Sequence, residues 1–203
     1  MLRLYGSVKS RTIRVLWMLN ELGIPFDHKD WLPRAPETRT PEYRALNPNA
    51  RVPTLDDDGF ILSESMAINF YLAKKHRSPL FPADPRHEAL VLQWSLWETD
   101  RLDRQIVNYC RHTKDLPEAE RKPAIAEEAW KEIVPSFDVL EAALTKSGWL
   151  AGPSFSVADL NVAAALFRAL TLDLAKWPHL KTWLHRCWER PPAQKARAMR
   201  DAK

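Results

Sequence analysis

The chain has 203 residues and a formal net charge of +4, long enough for one large or two small domains. Apolar residues make up 45% and charged residues 28%, the balance of an ordinary globular protein, and the absence of a Lys/Arg tract argues against nucleic acid as a partner. No apolar run approaches the roughly 20 residues of a membrane helix, no secretory signal follows Met1, and Cys110 and Cys187 show no metal-ligand spacing, so the expectation is a cytoplasmic protein without a metal or a membrane partner.

Leu2-Arg3-Leu4-Tyr5 alternates apolar and polar residues and predicts a strand. Gly6 to Lys9 reads as a turn. Ser10 precedes a helical run from Arg11 to Leu22 that Gly23 and Pro25 end. Phe26 to Trp31 alternates again. Thr40-Pro41-Glu42 reads as an N-cap with proline at the first helical position. The segment from Asn47 to Ser65 then organises the unit. It has a proline in a strand context (Val52-Pro53-Thr54-Leu55), a hairpin turn at Asp57-Asp58-Gly59, a short strand at Phe60-Ile61-Leu62, and Glu64-Ser65 ahead of an apolar helical run. Ser65 is the expected N-cap. Strand-edge backbone groups, a carboxylate and a helix N-terminus then lie close together, which suits a small peptide with both an ammonium and a carboxylate. The whole is a compact α/β unit of residues 1–77.

Three prolines between Ser78 and Pro85 predict a linker over 78–85. From 86 to 203 no strand signal appears. One helical pattern runs from Arg86 to about His112 and another from Glu118 to Leu144, with Pro135 a kink site. Ser156 and Asp159 form a capping box, flanked by Phe155 and Leu160 at staple positions. The following helix, Val157 to Leu170, is apolar almost all round and should be buried. Pro178 to Glu189 is a last clear helix, stopped by Pro191-Pro192.

These pieces in this order resemble the cytosolic glutathione transferases over almost the full length, in a serine-type form like the bacterial and theta-like members. The matching residues are Ser10 to Trp17 with Glu21-Leu22-Gly23, Asn47-Pro48, Arg51-Val52-Pro53, Glu64-Ser65 with Ala67-Ile68, and Ser156 to Asp159. The chain departs from the pattern near Ala50, where the family commonly has glycine. The resemblance implies a thioredoxin-like N-terminal domain (1–77), followed by an all-helical C-terminal domain (86–203), as a homodimer.

The resemblance also implies site residues. The family places a catalytic Ser, Tyr or Cys at the end of the first strand, near the start of the first helix, and Ser10 stands there; Ser7 and Tyr5 are alternatives. The chemistry agrees, because a thiolate is favoured by a hydroxyl donor and a helix N-terminus. A charge-assisted hydrogen bond of about 1.5–3 kcal/mol lowers a thiol near 8.5 by about one or two pKa units. A plain helix cap is the structural alternative for Ser10. Pro53 resembles the family's cis proline, which would let Val52 present its N–H and C=O to an extended peptide; an edge-strand trans proline is the alternative. Glu64 would sit near the ammonium of glutathione, and Ser65 would take the adjacent carboxylate. Arg39, with Arg34 and Arg51 as rivals, is the candidate cation for the glycyl carboxylate. Asp159 reads as structural.

The expected function is glutathione transfer: glutathione as co-substrate, its thiol activated for attack on a small hydrophobic electrophile in a detoxification role. Trp97, Tyr109 and His112 are candidate pocket residues. Two alternatives are a glutathione-dependent peroxidase or isomerase on the same fold, and a non-catalytic binding module. No cysteine stands near Ser10, which argues against thiol transfer through a protein mixed disulfide.

Overall fold

The computed structural model describes Met1–Asp201. The chain divides into two compact units. The first is Met1–Phe81 joined by the described residues from Glu189 onward, and the second is Pro82–Trp188.

In the first unit, β1 (Leu2–Tyr5), β2 (Asp27–Lys29), β3 (Thr54–Asp57) and β4 (Phe60–Ser63) form one sheet in the order β2-β1-β3-β4. β1 and β2 are parallel and the other pairs antiparallel. Alternation in β1 turns Leu2 and Leu4 into the core, with Leu4 fully buried. The hairpin between β3 and β4 turns at Asp58 and Gly59, both with positive φ, and Asp56 Oδ1 accepts from Gly59 N at 2.8 Å. That is the turn chemistry an Asp-Gly pair predicts.

Helix α1 (Thr12–Leu22) ends at Gly23, whose φ of 64° gives a left-handed cap. Every residue from Thr12 to Leu19 is buried, because α1 packs against both α3 (Ser65–Lys75) and α9 (Pro191–Asp201). α2 (Pro41–Leu46) is short, and Thr40 Oγ1 caps it by accepting from Tyr43 N at 3.2 Å. The prediction there holds. The mixed sheet with its helices is the thioredoxin-like arrangement the resemblance implies.

α9 differs from the sequence reading. Pro191-Pro192 read as a stop, yet Pro191 is the first residue of a further helix. Proline fits that position because its missing N–H would be unpaired there anyway. Ala193 and Ala196, three apart on one face, are fully buried. Arg190 donates to both oxygens of Glu21 on α1, at 2.7 and 2.8 Å, and Trp17 Nε1 donates to the same carboxylate at 2.9 Å. The residues from Glu189 on therefore belong with the first unit, where the sequence reading grouped them within 86–203. The expected 78–85 linker also divides: Ser78 N bonds to Ala73 O at 2.9 Å, and Phe81 packs on Phe70 with centroids 5.8 Å apart.

The second unit begins with Asp84 capping α4 (Pro85–Arg101). The single helix expected to reach His112 is three pieces: α4, α5 (Asp103–Cys110) and a π-helical turn, Arg111–Asp115. Helical bonds continue through the join, Leu102 N to Glu98 O and Ile106 N to Leu102 O, each 2.9 Å, and Leu102 and Ile106 are both fully buried. Glu118–Glu120 is a 3-10 turn, and α6 (Pro123–Ser147) starts at Pro123 and runs through Pro135. α7 (Val157–Ala165) is buried from Val157 to Ala164, as its uniform apolarity predicts, and continues as a 3-10 turn, Leu166–Thr171, before α8 (Pro178–Trp188).

The capping box at Ser156 is present. Asp159 also reaches beyond it: its carboxylate accepts from Leu150 N and from Trp183 Nε1 on α8, both at 2.9 Å, besides Ser156 N and Oγ at 2.9 and 2.8 Å. Burial pushes this carboxyl up from its ordinary value, and the four donors pull against that. Among the described residues no helix is long and apolar enough to cross a membrane.

Candidate functional site

Sheet register gathers the predicted residues. Tyr5 is level with Thr54, and Thr54 with Ser63. β1 therefore ends, β3 begins and β4 ends on one line. The Gly6–Arg11 loop, the Val52-Pro53 bond and the Glu64-Ser65 pair all leave the sheet from that end.

The loop after β1 is pinned by the residues at and after the end of β2. Gly6 N donates to Lys29 O at 2.8 Å and Ser7 N to Trp31 O at 2.7 Å, and His28 Nε2 lies 2.8 Å from Gly6 O. Gly6 has φ of 131°, and a Cβ there would stand 2.2 Å from Thr12 Oγ1 and 2.8 Å from Val52 Cβ. Only glycine allows α1 and the proline loop to close on the strand end in this way. Ser7 is 1% exposed and Tyr5 7%; the Tyr5 ring packs on Trp31 and Tyr43 at 5.1 and 5.6 Å. Ser10 is half-buried and the most exposed of the three residues.

Ser10 Oγ donates to Ser7 O at 2.7 Å. Its single hydrogen is committed there, so the Thr12 hydroxyl, 2.8 Å away, donates to it. Thr12 N donates as well, at 3.1 Å. The N-cap position of α1 is Arg11, so Ser10 stands one residue before the cap, bonded to Thr12 N, and holds a hydroxyl that two donors polarise.

The Val52-Pro53 bond is cis, as the resemblance implies. Its approach is held by the motif residue Asn47, whose Nδ2 donates to Arg51 O at 3.0 Å and to Thr54 Oγ1 at 2.9 Å. Tyr43 OH donates to the same carbonyl at 2.6 Å, and burial pushes its phenol up from the ordinary value, so it remains a donor. Ala50, where the family commonly has glycine, takes a φ of 51°.

At the third segment the sequence reading is corrected. The N-cap of α3 is Glu64, and Ser65 is the first helical residue. Glu64 has φ of 70° and its carbonyl accepts from Ile68 N at 2.9 Å, so its side chain is exposed while its backbone starts the helix. Ser65 is 4% exposed and its Oγ accepts from Arg14 Nη1 at 3.2 Å. Arg39 ends the 3-10 turn Pro36–Arg39 with its guanidinium exposed, as are Arg34 and Arg51. The Arg39 carbonyl accepts from Arg44 Nε on α2 at 3.3 Å, and α2 reaches the sheet end through Tyr43 OH.

Sequence reasoning passed over Gly6, Thr12, Arg14 and Tyr43. Arg14 did give a signal: it is a charge inside the apolar run Ile13-Arg14-Val15-Leu16, and it is 3% exposed. Of the candidates in the second unit, Tyr109 and His112 line one groove, while Trp97 packs edge-on to Trp94 at 5.2 Å.

The family model of the glutathione S-transferase N-terminal domain matches residues 10–75, and that of the C-terminal domain matches residues 123–186. Among solved structures, a theta-class glutathione S-transferase from Xanthomonas axonopodis pv. citri with glutathione bound is 30% identical, covering 96% of each chain at a TM-score of 0.89. Glutathione S-transferase-I bound with lactoylglutathione is 28% identical over 98% of this chain and 99% of that one, at 0.89. A glutathione S-transferase from Pseudomonas fluorescens Pf-5 is 29% identical over 94% and 96%, at 0.81. The agreement extends through both units, and with it the chain is placed in the glutathione S-transferase family.

Proposed function

We propose that the first unit binds glutathione at the sheet end and that Ser10 activates its thiol. Val52, on the loop that leaves the sheet end, pairs its backbone with the cysteinyl part of an extended tripeptide. Ser65 and the N-terminus of α3 receive the γ-glutamyl carboxylate, and Glu64, exposed beside them, takes the ammonium. Arg39 is the proposed partner of the glycyl carboxylate. Ser10 turns its hydrogen from Ser7 O to the sulfur, while Thr12 continues to donate to Ser10 Oγ. The thiol proton leaves to solvent, the thiolate attacks the electrophilic carbon, a C–S bond forms, and the leaving group departs with the electron pair of the bond that breaks. Catalysis is positioning plus thiolate stabilisation.

The observation that supports this best is the accessibility of Ser10 beside the enclosed Ser7 and Tyr5. The test is the thiolate absorbance of bound glutathione across pH. The bound thiol should titrate about one or two units below 8.5 in the wild type and near 8.5 in Ser10→Ala. A lowered value in both proteins assigns the role to another donor, and an unshifted thiol in the wild type overturns the transferase mechanism.

A homodimer in a reducing cytoplasm, acting on a small hydrophobic electrophile in detoxification, completes the proposal. Phe60, 51% exposed on the edge strand β4, offers apolar surface for a second copy, and both cysteines are buried as thiols.

A further inference from the structure

The second unit holds a groove of about 290 Å3 between the end of α5, the π-helical turn and the first turns of α6. None of its lining residues belongs to the first unit. One wall is aromatic: Tyr109 and Trp130 lie with centroids 4.8 Å apart at 33°. Trp130 is braced from behind by the edges of Phe137 and Trp177, each 6.3 Å away, so this wall is preformed.

The π-helical turn shapes the other side. Leu116 N bonds to Arg111 O at 3.1 Å, five residues back, and the widened turn brings His112 and Thr113 to the groove. Such turns recur where a helix serves a site. This one is anchored by Arg168 to Asp115 and by Lys114 to Thr171. The Thr113 hydroxyl is committed to Tyr109 O at 2.8 Å. His112 Nδ1 accepts from Lys122 N at 3.2 Å, which leaves the ring hydrogen on Nε2, a donor without a partner among the described residues. Glu127 supplies the lining carboxylate, likewise without an ion-pair partner among them. The groove therefore combines a tilted aromatic stack as one wall, one acceptor and one donor.

We propose that this groove binds a planar amino-heteroaromatic molecule. Its ring would stack on the outward face of the Tyr109–Trp130 pair, its amino N–H would donate to Glu127, and its ring nitrogen would accept from His112 Nε2. The acidic edge excludes anionic aromatics, and stacking alone does not distinguish rings, so the donor sets the specificity.

The experiment is isothermal titration of the full chain with 2-aminoquinoline, at a pH alkaline enough to keep its ring nitrogen unprotonated, with quinoline as the comparison lacking the donor. Saturable one-site binding of 2-aminoquinoline, at least about fivefold tighter than quinoline, is expected. Glu127→Gln should weaken 2-aminoquinoline about tenfold and leave quinoline unchanged. Trp130→Leu should weaken both about tenfold or more. Glu128→Gln, one residue further along α6 and outside the groove lining, should change neither. Because Glu127 is exposed, its variant folds whether or not Trp130→Leu does. Absence of saturable binding to the wild type, equal affinity for the two probes, or an unchanged affinity in Glu127→Gln each overturns the proposal.

Discussion

Arg14 Nη1, on α1, donates to Ser65 Oγ at the start of α3, 3.2 Å away. Ser65 accepts in that bond and so keeps its own hydrogen to give to a ligand, with the buried guanidinium polarising the hydroxyl. Ser65→Ala should raise KM for glutathione about tenfold, lower kcat little, and shift Tm by only a few degrees. Steady-state kinetics with a model electrophile and a thermal melt check this; an unchanged KM removes Ser65 from the binding site.

Gly6→Ala places a methyl where Thr12 Oγ1 and the Val52 side chain already stand, at a φ that side chains rarely adopt. The variant should lose about 2–4 kcal/mol by urea denaturation. The fraction that folds should show a raised KM for glutathione, because both the Ser10 turn and the Val52 loop must move apart.

Ala50 holds a left-handed conformation that costs a non-glycine residue about 1–2 kcal/mol. Glycine removes that cost and adds some unfolded-chain entropy, about 0.4–1 kcal/mol. Ala50→Gly should therefore stabilise the protein by about 0.5–1 kcal/mol, read as a rise in urea midpoint at constant slope.

Asp159→Ala leaves four donors without their acceptor, among them the indole of Trp183 and the amide of Leu150. A lost cap and unpaired buried donors should together cost about 3 kcal/mol or more. Folded variant at low temperature should keep its specific activity. A melting temperature equal to wild type with activity gone would reverse the assignment.

Asp57 is buried at the end of β3 and accepts from Lys75 Nζ and, at 2.7 Å, from Tyr71 OH. Lys75 first and Tyr71 second hold its carboxyl below the usual carboxylate range. The folded chain thus binds this proton less readily than the unfolded chain. The stabilisation is complete above the unfolded value of about 4 and is lost as pH falls from there through the folded value. Asp57→Asn should flatten the acid limb of a stability-against-pH curve measured by denaturation between about pH 5 and pH 2.

Local signals told the most. The Thr40-Pro41 cap, the Asp58-Gly59 hairpin, the left-handed Gly23 and the Ser156–Asp159 box are each settled within four or five residues, and the structure has all of them. Ser65 slipped by one position because Glu64, in a conformation unusual for its type, took the cap backbone role. Thr12 and Gly6 were invisible because their importance lies in what stands across from them. Nothing in Gly6-Ser7-Val8 says that Thr12 and Val52 will close to within a methyl's reach. The break at Leu102 and the π-helical turn also escaped, since the apolar period runs unbroken from Trp94 to Tyr109.

Helix α9 completes the first unit from the far side of the second in sequence. During synthesis, Met1–Phe81 leaves the ribosome with the α9-facing side of α1 uncovered, and more than a hundred residues, Pro82–Trp188, must follow before Ala193 and Ala196 arrive. The first unit therefore cannot complete its core until the second has been synthesised. A nascent chain stopped near Trp188 should be recognised by chaperones and proteases through the bare face of α1, and grafting residues 1–81 alone onto another protein should give an insoluble fusion.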